Sequence, residues 1–282
     1  MKCRECGGEA ALIGENKYRC PYCACEFEGA PMKEQNTARD PQPQANNGSG
    51  GATVFEQNVN GVLEITWYPT PFSKASGSGL LIDSSGYALT NAHVVSDAEG
   101  RVVAGQLFIK IAGQDVKAKV VRLGDNKAGS GTGVDLALIK LDHVPMGAKP
   151  LTLASFDSVR IGEQVFVIGN SLGDGTCITA GIVSDKQRQI AGHTVLMTDC
   201  AINGGNSGGP IFNSTGEVIG VICSSRVKAD GEATEGMNYA VPVNIAEDFL
   251  KGKHTAIVIG KNMGMDVNYK AASAIAKNPK RP

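Results

Sequence analysis

The stretch Asn203-Gly204-Gly205-Asn206-Ser207-Gly208-Gly209-Pro210 constrains what this chain can fold into more than any other. Four glycines in eight residues exclude a helix interior and a regular strand. They allow a tight backbone path whose N–H groups stay free to face a ligand. Runs of strand character flank it: Val195-Leu196-Met197 before, and Pro210-Ile211-Phe212 and Val218-Ile219-Gly220-Val221-Ile222 after. Ser207 is therefore predicted on a sharp turn between two strands, with its hydroxyl accessible. An acyl-transfer nucleophile needs that presentation, with backbone donors close to the developing oxyanion. A glycine-rich hairpin turn carrying an incidental serine satisfies the same eight residues. Partners elsewhere in the chain have to decide between the two.

A serine hydroxyl is a weak nucleophile at neutral pH and needs a base and an orienting acid. The histidines are His93, His143, His193 and His254. Residues 77–95 read as a strand, a polar turn and a second strand, with His93 where the second strand ends. His143 and His254 lack such a setting, and His193 lies in a polar stretch. Asp135 opens Asp135-Leu136-Ala137-Leu138-Ile139-Lys140-Leu141, whose alternation predicts a half-buried strand. A carboxylate at the head of such a strand can reach a histidine ring nitrogen.

The order His, Asp, Ser is that of the chymotrypsin arrangement. Gly77-Ser78-Gly79, Thr90-Asn91-Ala92-His93-Val94-Val95, Asp135-Leu136-Ala137, Thr198-Asp199-Cys200-Ala201-Ile202-Asn203 and Gly205-Asn206-Ser207-Gly208-Gly209-Pro210 together resemble the trypsin-like serine peptidases of the HtrA (Deg) branch. Asn238-Tyr239-Ala240-Val241-Pro242-Val243 is similar to the last barrel strand of that branch, and the likeness covers about residues 54–248. It implies an all-β fold of two six-stranded antiparallel barrels with the active site in the cleft between them. It implies a serine endopeptidase that cuts protein substrates, among them unfolded or misfolded chains. The implied triad is His93, Asp135 and Ser207, and the implied oxyanion hole is the N–H groups of Gly205 and Ser207. Ala201 and Ile202 would line an apolar primary pocket suited to small aliphatic side chains. No cofactor is implied for catalysis, and a trimer is the usual assembly. Zymogens activated by clipping carry an aspartate where this chain has Asn206. The resemblance therefore implies activation by loop rearrangement, at 171–176, 186–194 or 224–236. HtrA relatives usually continue into a PDZ domain, for which the residues after 250 are too few. The competing reading is a non-catalytic, chaperone-like protein-binding module, and the intact set of three residues argues against it.

Ahead of this domain stand Cys3-Arg4-Glu5-Cys6 and Cys20-Pro21-Tyr22-Cys23. Two such pairs supply four thiolates for a tetrahedral zinc ion, although residues 7–19 make a slightly short spacer. Iron, a redox dithiol or a purely structural role are the alternatives. Residues 1–29 resemble a zinc ribbon with strands at Ala10–Ile13 and Tyr18–Arg19; Cys25 is left over as an unligated thiol. Its Lys2, Arg4, Lys17 and Arg19 are nearly balanced by Glu5, Glu9, Glu15, Glu26 and Glu28. That balance favours docking a protein partner, or a structural role, over nucleic acid. Residues 30–52, rich in Gln, Asn, Pro, Gly and Ser, read as a flexible linker.

By the resemblance, residues 53–250 are expected to form the peptidase domain, in which high glycine and low aromatic content suit short strands and many turns. Cys177, Cys200 and Cys223 read as small core residues, and a disulfide is not expected. A helix is predicted over Asn244–Leu250 with Asn244 as its cap. Residues 251–282 carry seven Lys or Arg against one Asp and read as a solvated basic tail, with an acidic partner as the alternative. With 27 basic and 28 acidic residues overall, no global field points to nucleic acid. No run of about 18 apolar residues suggests a membrane span. An opening Met1-Lys2-Cys3-Arg4 without signal-peptide character leads to the expectation of a cytoplasmic protein.

Overall fold

The computed structural model describes residues 11–14, 17–19, 25–28, 50–70, 73–96, 102, 107–124, 134–190, 193–227, 233–253 and 255–258. The chain separates into two units, Met1–Asn46 and Asn47–Pro282. In the first, β1 (Ala11–Gly14), β2 (Lys17–Arg19) and β3 (Glu26–Glu28) form an antiparallel sheet in that order. β3 goes beyond the two expected strands; three residues are too few to carry a readable alternation. Cys3, Cys6, Cys20 and Cys23 lie outside the described residues, as does most of the expected linker.

The second unit opens with α1 (Gly51–Asn58), which leads through a single 3₁₀ turn into β4 (Val62–Thr70). There follow β5 (Ser73–Leu81), β6 (Tyr87–Thr90), a one-turn helix α2 (Ala92–Val95), β7 (Leu107–Ile111), β8 (Gln114–Gly124) and β9 (Ala137–Leu141). Then come β10 (Gln164–Asn170), β11 (Thr176–Ile190), β12 (His193–Thr198), β13 (Pro210–Asn213), β14 (Val218–Val227) and β15 (Ala233–Pro242). The described chain ends with α3 (Val243–Leu250) and β16 (Thr255–Val258).

Strands β10 to β15 close into a six-stranded antiparallel barrel, ordered β10-β11-β12-β15-β14-β13. The earlier strands form a seven-stranded sheet, β16-β8-β7-β4-β5-β6-β9, in which β9 also pairs with β8. The seventh strand is β16, drawn from residues assigned above to the tail. β7 shows how sequence selects the faces: Leu107, Ile109 and Ile111 are buried, and Phe108 and Lys110 are exposed. The sheet encloses Leu63, Ile65, Trp67, Leu81, Ile109 and Leu123. The barrel encloses Val165, Val183, Leu196, Ile211, Ile219 and Ile222. A third cluster joins them, with Leu80, Leu89 and Leu138 from the sheet meeting Phe166, Ile168 and Phe212 from the barrel. Each such side chain removed from water contributes about 1.5–3 kcal/mol. The active-site candidates lie along this seam.

α3 starts one residue earlier than expected, with Pro242 rather than Asn244 at the cap position and no side-chain cap bond. Val243, Ala246, Phe249 and Leu250 are buried on one helical face. No described helix is long and apolar enough to cross a membrane.

Candidate active site

The site begins with strand pairing. β6 pairs with β9, Thr90 opposite Ala137, which brings the residue after β6 beside the residues before β9. Asn91, fully buried, donates from Nδ2 to the Asp135 carbonyl at 2.7 Å. Ala92, Val94 and Val95 of α2 are buried, so His93 is the one residue of that turn left facing outward. This corrects the expected strand end: a single helical turn is too short to announce itself by periodicity.

Asp135 holds His93 with both oxygens. Oδ1 accepts the His93 backbone N–H at 3.1 Å, and Oδ2 lies 2.6 Å from ring Nδ1. A carboxylate only accepts, so Nδ1 carries the proton and the lone pair falls on Nε2. Burial works to lower the His93 pKa. The hydrogen bond to Asp135 and that residue's negative charge together outweigh it, so the pKa lies above the ordinary 6.5.

Ser207 sits half-buried in the loop between β12 and β13. Two glycines shape this loop at positive φ, Gly205 at 93° and Gly208 at 84°. Neither has room for a side chain. A Cβ on Gly205 would stand 2.1 Å from the Asn170 carbonyl oxygen, and one on Gly208 2.3 Å from both the Ser78 carbonyl oxygen and Thr90 Oγ1. The Ser78 N–H donates to the Ser207 carbonyl at 2.8 Å, and the buried Ser78 hydroxyl donates to the Gly205 carbonyl at 2.7 Å. Within the loop the N–H groups of Asn206, Gly208 and Gly209 are paired with the carbonyls of Asn203, Ile222 and Asn206. Those of Gly205 and Ser207 meet no acceptor among the described residues. Two such donors, on either side of Asn206 and beside a serine hydroxyl, are what a tetrahedral oxyanion requires.

Gly77 connects the halves of the site. A Cβ there would lie 2.7 Å from Val94, next to His93, and 3.2 Å from the Ser207 carbonyl oxygen. So β5 carries the histidine turn and the serine loop on neighbouring residues. Among the described residues no hydrogen bond joins the His93 ring to the Ser207 hydroxyl; such contacts commonly tighten when substrate arrives.

Ala201 is exposed and Ile202 is half-buried, packed against the barrel core. The neighbouring Cys200 is a buried thiol that burial pushes up to about 11, which leaves it chemically quiet at neutral pH. Asn238 donates from Nδ2 to the Cys200 carbonyl at 2.7 Å and so steadies the start of that segment. Roles for Ser78, Asn91 and Asn170 were not foreseen. Ser78 and Asn91 lie inside the motifs Gly77-Ser78-Gly79 and Thr90–Val95, and that adjacency was the available signal.

A family model described as the trypsin-like peptidase domain matches residues 77–221. A relative in Pseudomonas putida (strain W619), named "Probable periplasmic serine endoprotease DegP-like", is 34% identical over 180 residues, which are 62% of this chain and 34% of that protein. One of the same name in Rhizobium meliloti (strain 1021) is 36% identical over 183 residues, 63% of this chain and 33% of that protein. The chain thus spans about a third of the length of these relatives. Among solved structures, HtrA-type protease AlgW with tripeptide aligns with a TM-score of 0.61 at 27% identity, covering 71% of this chain and 62% of that one. The serine endoprotease from Yersinia pestis aligns with a TM-score of 0.57 at 27% identity, covering 71% and 64%. The relatives' names correct the expected compartment: they are periplasmic, and they point to the periplasm rather than the cytoplasm. The character of the opening residues was too indirect to decide it. Residues 77–221 are just over half of the chain, and on that match it belongs to the trypsin-like peptidase family.

Proposed function

We propose that the chain is a serine endopeptidase of the HtrA type, with Ser207 as nucleophile, His93 as general base and acid, and Asp135 as the carboxylate that orients the imidazole. The observation that carries this reading is the double grip of Asp135 on His93, at 3.1 and 2.6 Å, in the helical turn that packs on Gly77 of β5, next to the Ser78 to which the Ser207 loop is bonded.

The Ser207 oxygen attacks a peptide carbonyl carbon while His93 Nε2 takes its proton. The charge that moves to the carbonyl oxygen is held by the N–H groups of Gly205 and Ser207. Asp135 stabilises the imidazolium, which then gives its proton to the departing amine as the C–N bond breaks. Water, deprotonated by His93, attacks the acyl-serine carbonyl; the bond to the Ser207 oxygen then breaks, that oxygen takes the proton back from His93, and the acid product leaves. Ala201 and Ile202 face the residue before the cut with apolar surface, which suits a small aliphatic side chain. Extended, unfolded chains are the proposed substrates, since a cleft bond must be reached by flexible backbone.

The N-terminal unit is proposed to hold a structural zinc ion through Cys3, Cys6, Cys20 and Cys23 and to dock a protein partner. A four-thiolate donor set fits a closed tetrahedral zinc site, and Cys20 and Cys23 fall in sequence between β2 and β3. So small a unit depends on ligation for most of its folding energy.

Activity-based labelling with an organophosphonate, read by peptide mass spectrometry, tests the catalytic reading. Modification at Ser207, abolished in Ser207→Ala together with cleavage of an unfolded protein, is expected. Cleavage that survives Ser207→Ala would overturn it.

A further inference from the structure

We propose that the Asn203–Gly204 link is a self-modification site, at which the chain converts its own Asn203 to aspartate or isoaspartate and so ages the serine loop out of its active geometry. The effect on activity rests on Ser207 being the nucleophile. The conversion is an attack by the Gly204 backbone nitrogen on Asn203 Cγ. A bond forms between these two atoms. Nδ2 leaves as ammonia, carrying the proton that the Gly204 nitrogen gives up, and a five-membered imide remains. Water then opens the imide. Cleavage of the bond to Cγ gives aspartate. Cleavage of the bond to the main-chain carbonyl carbon gives isoaspartate, in which the backbone runs through Cγ. The step needs water alone.

The surroundings select this link over others of its kind. Asn-Gly occurs at 47–48, 60–61 and 203–204, and the first pair lies outside the described residues. Gly61 is buried, and a Cβ there would stand 2.4 Å from Leu151 and from the Lys149 carbonyl oxygen, so that peptide unit has no room to swing. Asn203 and Gly204 are both exposed. Nothing lies within 4 Å of a Cβ placed on Gly204, and its N–H meets no acceptor among the described residues. The attacking nitrogen is therefore bare, and water has access. One hydrogen bond, from Nδ2 to Ser171 Oγ at 3.2 Å, is all that holds the Asn203 side chain among the described residues. Asn206 also precedes an unpaired N–H, but it is 1% exposed, and its Oδ1 lies 3.0 Å from where a Gly169 Cβ would stand. Neither water nor rotation is open to it.

The consequence follows from what the link supports. The Asn203 carbonyl accepts the Asn206 N–H at 3.1 Å, and the Gly204 carbonyl accepts the Leu172 N–H at 2.6 Å. These bonds fix both ends of the link just ahead of Gly205, whose N–H is a proposed oxyanion donor. Isoaspartate inserts one carbon into the backbone, about 1.5 Å of extra chain, and turns the Asn203 carbonyl into a free carboxylate. Gly205 is then displaced unless one of the two bonds gives way. A fixed negative charge also stands near donors that must receive developing negative charge. A misplacement of about 1 Å at the chemistry costs on the order of a hundredfold in rate. The link thus limits the working life of the protease.

The test holds full-length protein for days at mildly alkaline pH, where a backbone nitrogen loses its proton more readily. Samples are read by peptide mass spectrometry with fragmentation that separates aspartate from isoaspartate, and by the rate of organophosphonate labelling at Ser207. Wild type should lose the Asn203 amide progressively. The fraction converted there, resolved by anion exchange on its added negative charge, should label on the order of a hundredfold more slowly than fresh protein. Gly204→Ala puts a methyl group beside the attacking nitrogen where there is room for one. It should label like fresh wild type at the start and convert severalfold more slowly. An Asn203 amide still intact in aged wild type would overturn the proposal, and so would a converted fraction that labels at the fresh rate. Both outcomes are read on wild type, so the decision stands even where the variant fails to fold. Conversion at Asn203 in a protein whose Ser207 never takes the label would refute the nucleophile and leave the modification site standing.

Discussion

The hydroxyl of Ser78 donates to the carbonyl oxygen of Gly205 across 2.7 Å, joining residues 127 positions apart. The same hydroxyl accepts the Asn170 N–H at 2.8 Å. One buried oxygen therefore aligns the entrance of the serine loop with the end of β10. Ser78→Ala leaves a buried carbonyl and a buried N–H unpaired, at about 1–3 kcal/mol. Since Gly205 also carries a proposed oxyanion donor, kcat is expected to fall between about tenfold and a few hundredfold, with little change in KM. Steady-state kinetics beside thermal melting checks both.

The pH profile follows from the His93 environment. Neutral His93 is the active base, so kcat/KM should fall as pH drops through its pKa, with the acid limb centred above 6.5 because Asp135 outweighs burial. The stability contribution has the opposite direction. A raised histidine pKa stabilises the fold fully below the unfolded value, and that contribution disappears as pH rises through the folded value. Asp135→Asn removes both raising influences and leaves burial, so the limb should shift to lower pH while kcat falls about 10⁴-fold. An acid limb that does not move in Asp135→Asn would contradict the assignment.

Two glycines of one loop should respond oppositely to alanine. At Gly208, φ is 84° and a Cβ would meet the Ser78 carbonyl oxygen at 2.3 Å. Gly208→Ala should therefore displace the loop, lose about 1–3 kcal/mol and suppress phosphonate labelling. At Gly204 nothing lies within 4 Å of the added carbon. Gly204→Ala should label and melt like wild type. Comparing labelling rates of the two variants is the check.

Arg122 ties the end of α3 to the first sheet. Buried on β8, it donates from Nη2 to the carbonyl of Phe249, and to that of Leu250 at 3.3 Å. Its guanidinium lies 4.6 Å from the Phe249 ring centroid. Carbonyls at a helix C-terminus have no partner within the helix, and a cation there meets both their hydrogen bonds and the dipole. Arg122→Met keeps the apolar stem and removes the donors, so a loss of about 2–4 kcal/mol is expected. Denaturant unfolding followed by circular dichroism measures it, and Ser207 labelling at low temperature should persist.

Where one strand face is buried, the alternation is written in the residues: Leu107, Ile109 and Ile111 of β7 are buried and Phe108 and Lys110 between them are exposed. Where an element is a single turn, no such pattern fits, so His93 was read as a strand end although it lies in α2. β16 was missed because four apolar and β-branched residues in a lysine-bearing segment look like tail until β8 offers them an edge. Asn244 was a plausible cap by residue type, but the backbone turns into α3 after Pro242, which is extended at φ −60° and ψ 149°. The three candidate residues were legible because each sits in a motif with its own local requirement: glycine freedom around Ser207, a strand head for Asp135, and a strand–turn–strand before His93.

The sequence by itself determined which side chains could do chemistry, their order along the chain, and that Ser207 must stand on a glycine-built turn. Those are local consequences of composition and backbone freedom. Only the tertiary structure decided that Asp135 faces Nδ1, and that the Gly205 and Ser207 N–H groups meet no acceptor among the described residues. These depend on how β6 registers against β9 and how the serine loop bonds to β5, across separations of 42 and 127 residues. A strand's own pattern states which face is buried. Its register against a distant partner is set only when both faces close on a shared core.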